Sequence, residues 1–169
     1  MLRRKKTKIA ALLLSFTLFL LLLLPVSPQD VGIYQGCAVT NRLTYHFFHA
    51  NILHLVLNVW CFLSCVFLAD ASLSVIVTSF IIACTVPVFT PVPTVGFSGI
   101  CFAILGFIMW QAKNKFSYNI SIISCIALPL MLLPHAVNSL LHAYCYTAAV
   151  IIGMPFHISR SSHNSRSSQ

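Results

Sequence analysis

The stretch Gly96-Phe97-Ser98-Gly99 begins an apolar segment that extends to about residue 112. Three prolines lie between residues 87 and 93, just before it. Proline disfavours helix continuation because its ring removes an amide donor and clashes with the preceding turn. The pattern therefore predicts that a new apolar helix starts near residue 96 and carries Ser98 close to its N-terminus.

Composition indicates a membrane protein with several spanning helices, since 59% of the 169 residues are hydrophobic and 7% are charged. A helix needs about 20 apolar residues to cross the hydrocarbon core of a bilayer. Six segments approach this length, so we expect an all-α protein with a single membrane domain of six transmembrane helices. The predicted helices lie near residues 9–25, 50–69, 72–90, 96–112, 117–133 and 138–156.

The distribution of basic residues predicts the orientation of these helices. A basic leader, residues 1–8, precedes the first apolar segment, and a polar tail, residues 157–169, follows the last. Basic residues favour the cytoplasmic side, so both termini are expected in the cytoplasm. The first segment also resembles a signal peptide, but its long apolar run and the lack of a small-residue cleavage site favour a retained helix.

The scarcity of acidic residues excludes several mechanisms. The chain has no glutamate, and its two aspartates are Asp30 and Asp70. This excludes an HExxH zinc peptidase, a pair of intramembrane aspartates and a dicarboxylate metal site. The seven cysteines are scattered without a C-x-x-C pair and are interpreted as packing residues. We expect no metal and no cofactor, and the net charge of +8 at membrane ends does not predict nucleic-acid binding.

Ser98 and His142 are expected at the same depth of the membrane. His142 lies in the first turn of the sixth predicted helix, which runs in the same direction as the fourth. Both helices carry small residues at three- or four-residue spacing, a pattern that allows close helix packing. Those residues are Gly99, Ala103 and Gly106 on the fourth helix and Cys145, Ala149 and Gly153 on the sixth. The packing would bring an imidazole to a serine hydroxyl, a pairing that favours intramembrane proteolysis.

The second predicted helix supplies further polar groups. His54 and Asn58 are four residues apart and therefore project from one helix face. With the backbone N–H of Ser98 at a helix N-terminus, they are candidate donors for an oxyanion hole, which stabilises the negative charge of a tetrahedral intermediate.

These elements resemble the signature of the rhomboid intramembrane serine proteases. The segment His49-Ala50-Asn51-Ile52-Leu53-His54-Leu55-Val56-Leu57-Asn58, the tetrad at residues 96–99 and His142 match that signature in order and spacing. The resemblance implies a six-helix rhomboid-like bundle with Ser98 as nucleophile and His142 as general base and acid. It places His54, Asn58 and the Ser98 backbone at the oxyanion hole, and it gives Gly96, Gly99 and Gly106 structural roles.

The resemblance also implies a substrate and a location. The substrate would be the transmembrane segment of a single-pass membrane protein, cut near the outer leaflet, where it reaches the site laterally through the bilayer. A compact six-helix chain without a transit-like leader is similar to members from the bacterial inner membrane.

The chain departs from the family pattern at several positions. Phe102 stands where many members have a tyrosine against the histidine, and Thr40-Asn41-Arg42 replaces a Trp-Arg pair in the first outer loop. Cys145 and Ala149 replace glycines after His142. Phe102 keeps an aromatic face and the other two remain small, so these changes do not argue against activity.

Two other functions are compatible with the sequence. An inactive rhomboid-like protein would bind transmembrane helices without cutting them, although such proteins usually lack the serine or the histidine. A haem or metal protein would use His54 and His142 as ligands, but it would leave Ser98 unexplained. His46 and His49, at the loop edge of the second predicted helix, are interpreted as partners of backbone carbonyls or of interfacial water, and the sequence assigns no definite role to His135 in the last outer loop.

Overall fold

The protein is all-α in the computed structural model, which describes residues 2–88, 90–132 and 137–166, with side chains for 4–88, 90–132 and 137–155. A 3-10 turn, Tyr45–Phe47, joins two of the helices. The helices are α1 (Leu2–Leu22), α2 (Pro28–Val31), α3 (Asn41–Thr44), α4 (Ile52–Phe67), α5 (Leu73–Cys84), α6 (Ser98–Met109), α7 (Lys115–Leu132) and α8 (Ser139–Arg166).

The prediction of six membrane-spanning helices is wrong. Within the described part of the chain, only α7 is long and apolar enough to cross a membrane, as judged by length and composition. A second span results only if Asn41–Phe47 and Ile52–Phe67 are counted as one, and these two segments meet at a bend of 92°.

The other helices fail this test for two physical reasons. α5 and α6 have 12 residues each, about 18 Å at 1.5 Å per residue, whereas the hydrocarbon core is about 30 Å thick. α4 has 16 residues, and the described apolar part of α8, Ser139–Pro155, is also short. α1 begins at Leu2, so the basic leader is part of the helix and lowers its apolar content.

Side-chain caps fix the starts of several helices, including α4, α5 and α8, but not of α6. Asn51 and Ser72 accept hydrogen bonds from backbone N–H groups in the first turns of α4 and α5, and Asn138 does the same for α8. The residue before α6, Phe97, provides no side-chain cap. The first turn of α6 therefore presents backbone amides, and the positive end of the helix dipole, beside Ser98.

α6 is the central helix and packs parallel to α8. A Cβ atom on Gly99 would lie 3.0 Å from Leu141, and one on Gly106 would lie 2.6 Å from the carbonyl oxygen of Tyr146 and 2.8 Å from Cβ of Ala149. The absence of a side chain at these glycines lets the two backbones approach closely. This approach aligns the first turn of α6 with the first turn of α8.

The segment between α1 and α4 docks on the end of the bundle that carries Ser98. The Arg42 guanidinium donates to the carbonyl oxygens of Val86, at 2.6 Å, and Cys84, at 3.3 Å. The Tyr45 hydroxyl donates to the carbonyl of Ala83 at 2.9 Å. These bonds go to carbonyl groups at and just after the C-terminus of α5, where helices lack backbone donors for their last carbonyls. Arg42, part of the departure at Thr40-Asn41-Arg42, thus anchors this segment.

The basic N-terminus lies at the opposite end of the bundle. Arg4 forms an ion pair of 2.6 Å with Asp70, which follows α4, and the ammonium group of Lys8 lies 5.1 Å from the centre of the Phe67 ring. α1 therefore packs antiparallel to α4, and its basic first turns lie far from Ser98.

Candidate active site

Ser98 and His142 meet where α6 and α8 begin. Nε2 of His142 lies 2.8 Å from Oγ of Ser98, a normal hydrogen-bonding distance. Ser98 is the first residue of α6, and His142 is in the first turn of α8. Because the two helices run parallel and pack through small residues, both side chains lie at the same level of the bundle.

The imidazole of His142 is held by packing. The ring of Phe102 stacks on it, with centroids 4.3 Å apart and planes inclined by 16°. His142 is 8% exposed, and its Nδ1 has no hydrogen-bond partner among the described residues. A carboxylate that orients the base, as in a Ser-His-Asp triad, is therefore not seen in the described part of the chain. The stacked ring of Phe102 is the group that restricts the imidazole plane.

His54 and Asn58 lie against the backbone just before Ser98. A Cβ atom on Gly96 would lie 2.7 Å from Cε1 of His54, 2.8 Å from its Nε2 and 3.5 Å from Nδ2 of Asn58. The φ angle of Gly96 is +134°, a value that L-residues with side chains rarely adopt. Only glycine therefore fits this turn, and its small size allows the polar face of α4 to lie close to Ser98.

Asn58 provides a buried donor without a partner. Asn58 is 7% exposed, and its Nδ2 forms no hydrogen bond within the described residues. A buried donor left unpaired costs about 1–3 kcal/mol, and a ligand oxygen that accepts from it removes that cost. Together with the uncapped first turn of α6, Nδ2 of Asn58 can stabilise an oxyanion that forms beside Ser98.

Two backbone amides of the turn that leads to Ser98 are held by the segment before α4. The N–H of Phe97 donates to Nε2 of His49 at 3.3 Å, and the N–H of Gly96 donates to the carbonyl of Tyr45 at 2.9 Å. His49 lies in the connection that precedes α4, outside the helices, where burial, and secondly the neighbouring His54, lower its pKa from 6.5 to about 4. A neutral imidazole can accept this bond from a backbone N–H, whereas the sequence led us to expect a partner among backbone carbonyls or interfacial water.

His46 lies apart from Ser98 and His142. Nε2 of His46 lies 3.1 Å from the carbonyl oxygen of Arg42 and 3.5 Å from the sulfur of Cys84. His135 lies outside the described residues. The sequence did not reveal Tyr45 and Asn138, which bond to backbone groups of the site, or Thr94, which bonds to the side chain of Asn138. Of these, only Asn138 carried a sequence signal, because asparagine before an apolar segment is a common N-cap.

The cysteines do not form a ligand cluster. All seven are free thiols, and Cys101 lies under the site, where its thiol donates to the carbonyl of Asn58 at 3.5 Å. In the described residues, no group of three or more His, Cys, Asp or Glu side chains could hold a metal ion. The chemistry available at this site is therefore that of a hydroxyl, an imidazole and amide donors.

Comparison of the chain with family models, with curated proteins and with solved structures finds no match. The functional interpretation therefore depends on the residues and the geometry of the site.

Proposed function

We propose that the chain is a serine peptidase of the rhomboid type, in which Ser98 is the nucleophile and His142 the general base and acid. The observation that carries this proposal is the distance of 2.8 Å between Oγ of Ser98 and Nε2 of His142 at the start of two parallel helices. A serine hydroxyl is a weak nucleophile until a neighbouring base accepts its proton.

In the proposed reaction, Oγ of Ser98 attacks the carbonyl carbon of the scissile peptide while Nε2 of His142 takes the hydroxyl proton. The tetrahedral intermediate then collapses, and His142 gives the proton to the departing amine. This leaves an acyl ester on Ser98. A water molecule, deprotonated by the same imidazole, hydrolyses the ester and restores the serine.

The groups around Gly96 support this chemistry. The developing oxyanion would accept hydrogen bonds from Nδ2 of Asn58 and from the amide of Ser98, with His54 at its edge. Preorganised donors in a site of low water content stabilise such charge strongly, since they need no reorganisation during the reaction. The stacked ring of Phe102 keeps the imidazole plane fixed without a carboxylate.

We also propose that the protein resides in a membrane and cuts the transmembrane segment of a single-pass protein. Large apolar side chains are exposed on helices throughout the bundle, among them Leu13 (62%), Trp60 (71%) and Phe116 (76%). Such a surface is disfavoured in water and compatible with lipid. The exposed basic side chains of Lys5, Lys6, Lys113 and Lys115 lie at the end away from Ser98, as expected for the cytoplasmic side.

Reconstitution with a peptide substrate tests the function. The purified protein is placed in phosphatidylcholine liposomes with a single-pass reporter whose transmembrane helix has small residues near its outer end. We expect a product cut within that helix, identified by mass spectrometry, and no product with Ser98→Ala. Ser74→Ala, which changes an exposed serine on α5, is the control.

Failure of the wild-type protein to cut any of a panel of such reporters while it still binds them would contradict the peptidase and favour a helix-binding protein. Extraction of the protein from membranes by alkaline carbonate would contradict the proposed location.

A further inference from the structure

Asn138 connects the first turn of α8 to the loop that leads to Ser98. Its Nδ2 donates to Oγ1 of Thr94 at 3.1 Å, and its Oδ1 accepts from the N–H of Leu141 at 3.0 Å. The carbonyl of Asn138 also accepts from the N–H of His142 at 3.3 Å. One side chain therefore caps the helix that carries the base and holds the segment that carries the nucleophile.

Thr94 is itself fixed to the segment before α4. Its backbone N–H and carbonyl exchange hydrogen bonds of 3.0 Å each with Ile33. Thr94 lies four residues before Ser98, as Asn138 lies four residues before His142. The bond between the two side chains thus joins two equivalent points, one before each member of the dyad.

Within the described residues, two other hydrogen bonds reach α8 from this part of the chain, but both start farther from Ser98 along the chain than Thr94 does. Oγ1 of Thr85, just after α5, lies 3.2 Å from the hydroxyl of Tyr144, and Nε1 of Trp110, at the far end of α6, donates to the carbonyl of Val150 at 3.0 Å. α6 begins without a side-chain cap, and the connection between α5 and α6 contains no helix in the part that the structure describes. The small residues of α6 and α8 set how closely the helices approach, but a smooth stripe of small residues permits sliding along the helix axis. A directional hydrogen bond at the start of both helices opposes such sliding.

We propose that Thr94 and Asn138 are positioning residues that hold Oγ of Ser98 in register with Nε2 of His142. This inference rests on the proposed function, because it assigns the pair a role in the reactivity of Ser98. Neither residue contacts the reacting atoms. Their effect is on the distance and alignment of the two side chains, to which reaction rates are highly sensitive.

The experiment measures the kinetics of Ser98 labelling by a fluorophosphonate probe in the full-length, detergent-solubilised protein. Thr94→Val removes the hydroxyl with little change of shape and leaves the backbone bonds to Ile33 in place. Asn138→Ser keeps a side-chain oxygen that can cap α8 but removes the amide donor. Thr94→Ser retains the hydroxyl, and Thr147→Val changes an exposed threonine of α8 outside the contact.

We expect Thr94→Val and Asn138→Ser each to lower the maximal rate of inactivation about tenfold or more, with the probe concentration at half-maximal rate unchanged. The double variant should be no slower than either single variant, since both remove the same bond. Thr94→Ser and Thr147→Val should react like the wild type.

The outcomes separate the two proposals. If the wild-type protein is labelled and both Thr94→Val and Asn138→Ser react at the wild-type rate, the positioning role is overturned. The proposed dyad would then still stand. Independent, additive losses in the double variant also overturn it, because they would show two unrelated structural effects. Wild-type protein that does not label at all contradicts the proposed function and this inference with it.

Discussion

The ring of Phe102 lies flat against the imidazole of His142, with centroids 4.3 Å apart and planes inclined by 16°. Phe102 is on the same helix as Ser98, one turn further along, so a single helix carries both the proposed nucleophile and the ring that packs against the proposed base. In the proposed dyad, this stack would orient the imidazole, a task that a carboxylate performs in a Ser-His-Asp triad.

Loss of this stack should slow the reaction of Ser98. Aromatic pairs contribute about 0.5–1.5 kcal/mol beyond their buried area. If Phe102→Leu raises the free energy of the transition state by this amount, the rate of labelling with a fluorophosphonate falls about 2- to 12-fold. Phe102→Tyr keeps the ring and should react like the wild type. Equal rates for the leucine variant and the wild type would contradict an orienting role for Phe102.

Replacement of Asn58 should reduce peptide cleavage without lowering stability. Removal of one oxyanion donor typically lowers kcat about 10²- to 10³-fold. Asn58→Leu preserves the approximate volume and removes a buried donor that has no partner within the described residues, so the melting temperature should not fall. Leu57→Ala, at an exposed neighbouring position, is the control. Cleavage at the wild-type rate by the Asn58→Leu variant would contradict a role of Asn58 as an oxyanion donor.

A methyl group at Gly106 should force α6 and α8 apart. The added Cβ would lie 2.6 Å from a backbone oxygen, that of Tyr146, which cannot move as a flexible side chain does. Overpacking of this kind costs about 1–3 kcal/mol, which corresponds to a fall of about 2–12 °C in the melting temperature. Gly106→Ala should therefore melt earlier and label more slowly, whereas Thr147→Ala on the exposed side of α8 should do neither. An unchanged melting temperature would contradict close packing of α6 against α8 at Gly106.

Burial of His49 predicts a stability that falls in acid. The pKa of His49 is about 4 in the folded protein and 6.5 ordinarily. Between pH 6.5 and about 4, His49 is protonated in the unfolded chain but neutral in the folded protein. The free energy of unfolding therefore decreases as pH falls through this range. Stability from this group is fully present above that window. His49→Gln should flatten this part of the melting temperature against pH, and an identical slope in the variant and the wild type would refute the assignment.

The sequence predicted which residues gather at the site better than it predicted the helix lengths. Ser98, His142, His54 and Asn58 were expected together because helical periodicity and small residues are local signals. The end of α5 at Cys84 was not, because hydropathy measures apolar composition and not where a helix stops. The three prolines did predict the start of α6 to within two residues. The described part of residues 85–97 forms no helix, as its three prolines favour, and hydrogen bonds to Arg42, Ile33 and Asn138 fix its path. These partners are distant in sequence, and no local pattern reveals them.

The most direct test of the dyad is fluorophosphonate labelling of the folded protein with the labelled residue mapped by mass spectrometry. The probe reacts readily only with an activated serine. The native chain, Ser98→Ala and His142→Ala are compared, with circular dichroism to verify that each is folded. The dyad predicts a label on Ser98 in the native chain and none in either variant. Labelling of His142→Ala at the native rate, or no label on folded native protein, would contradict it.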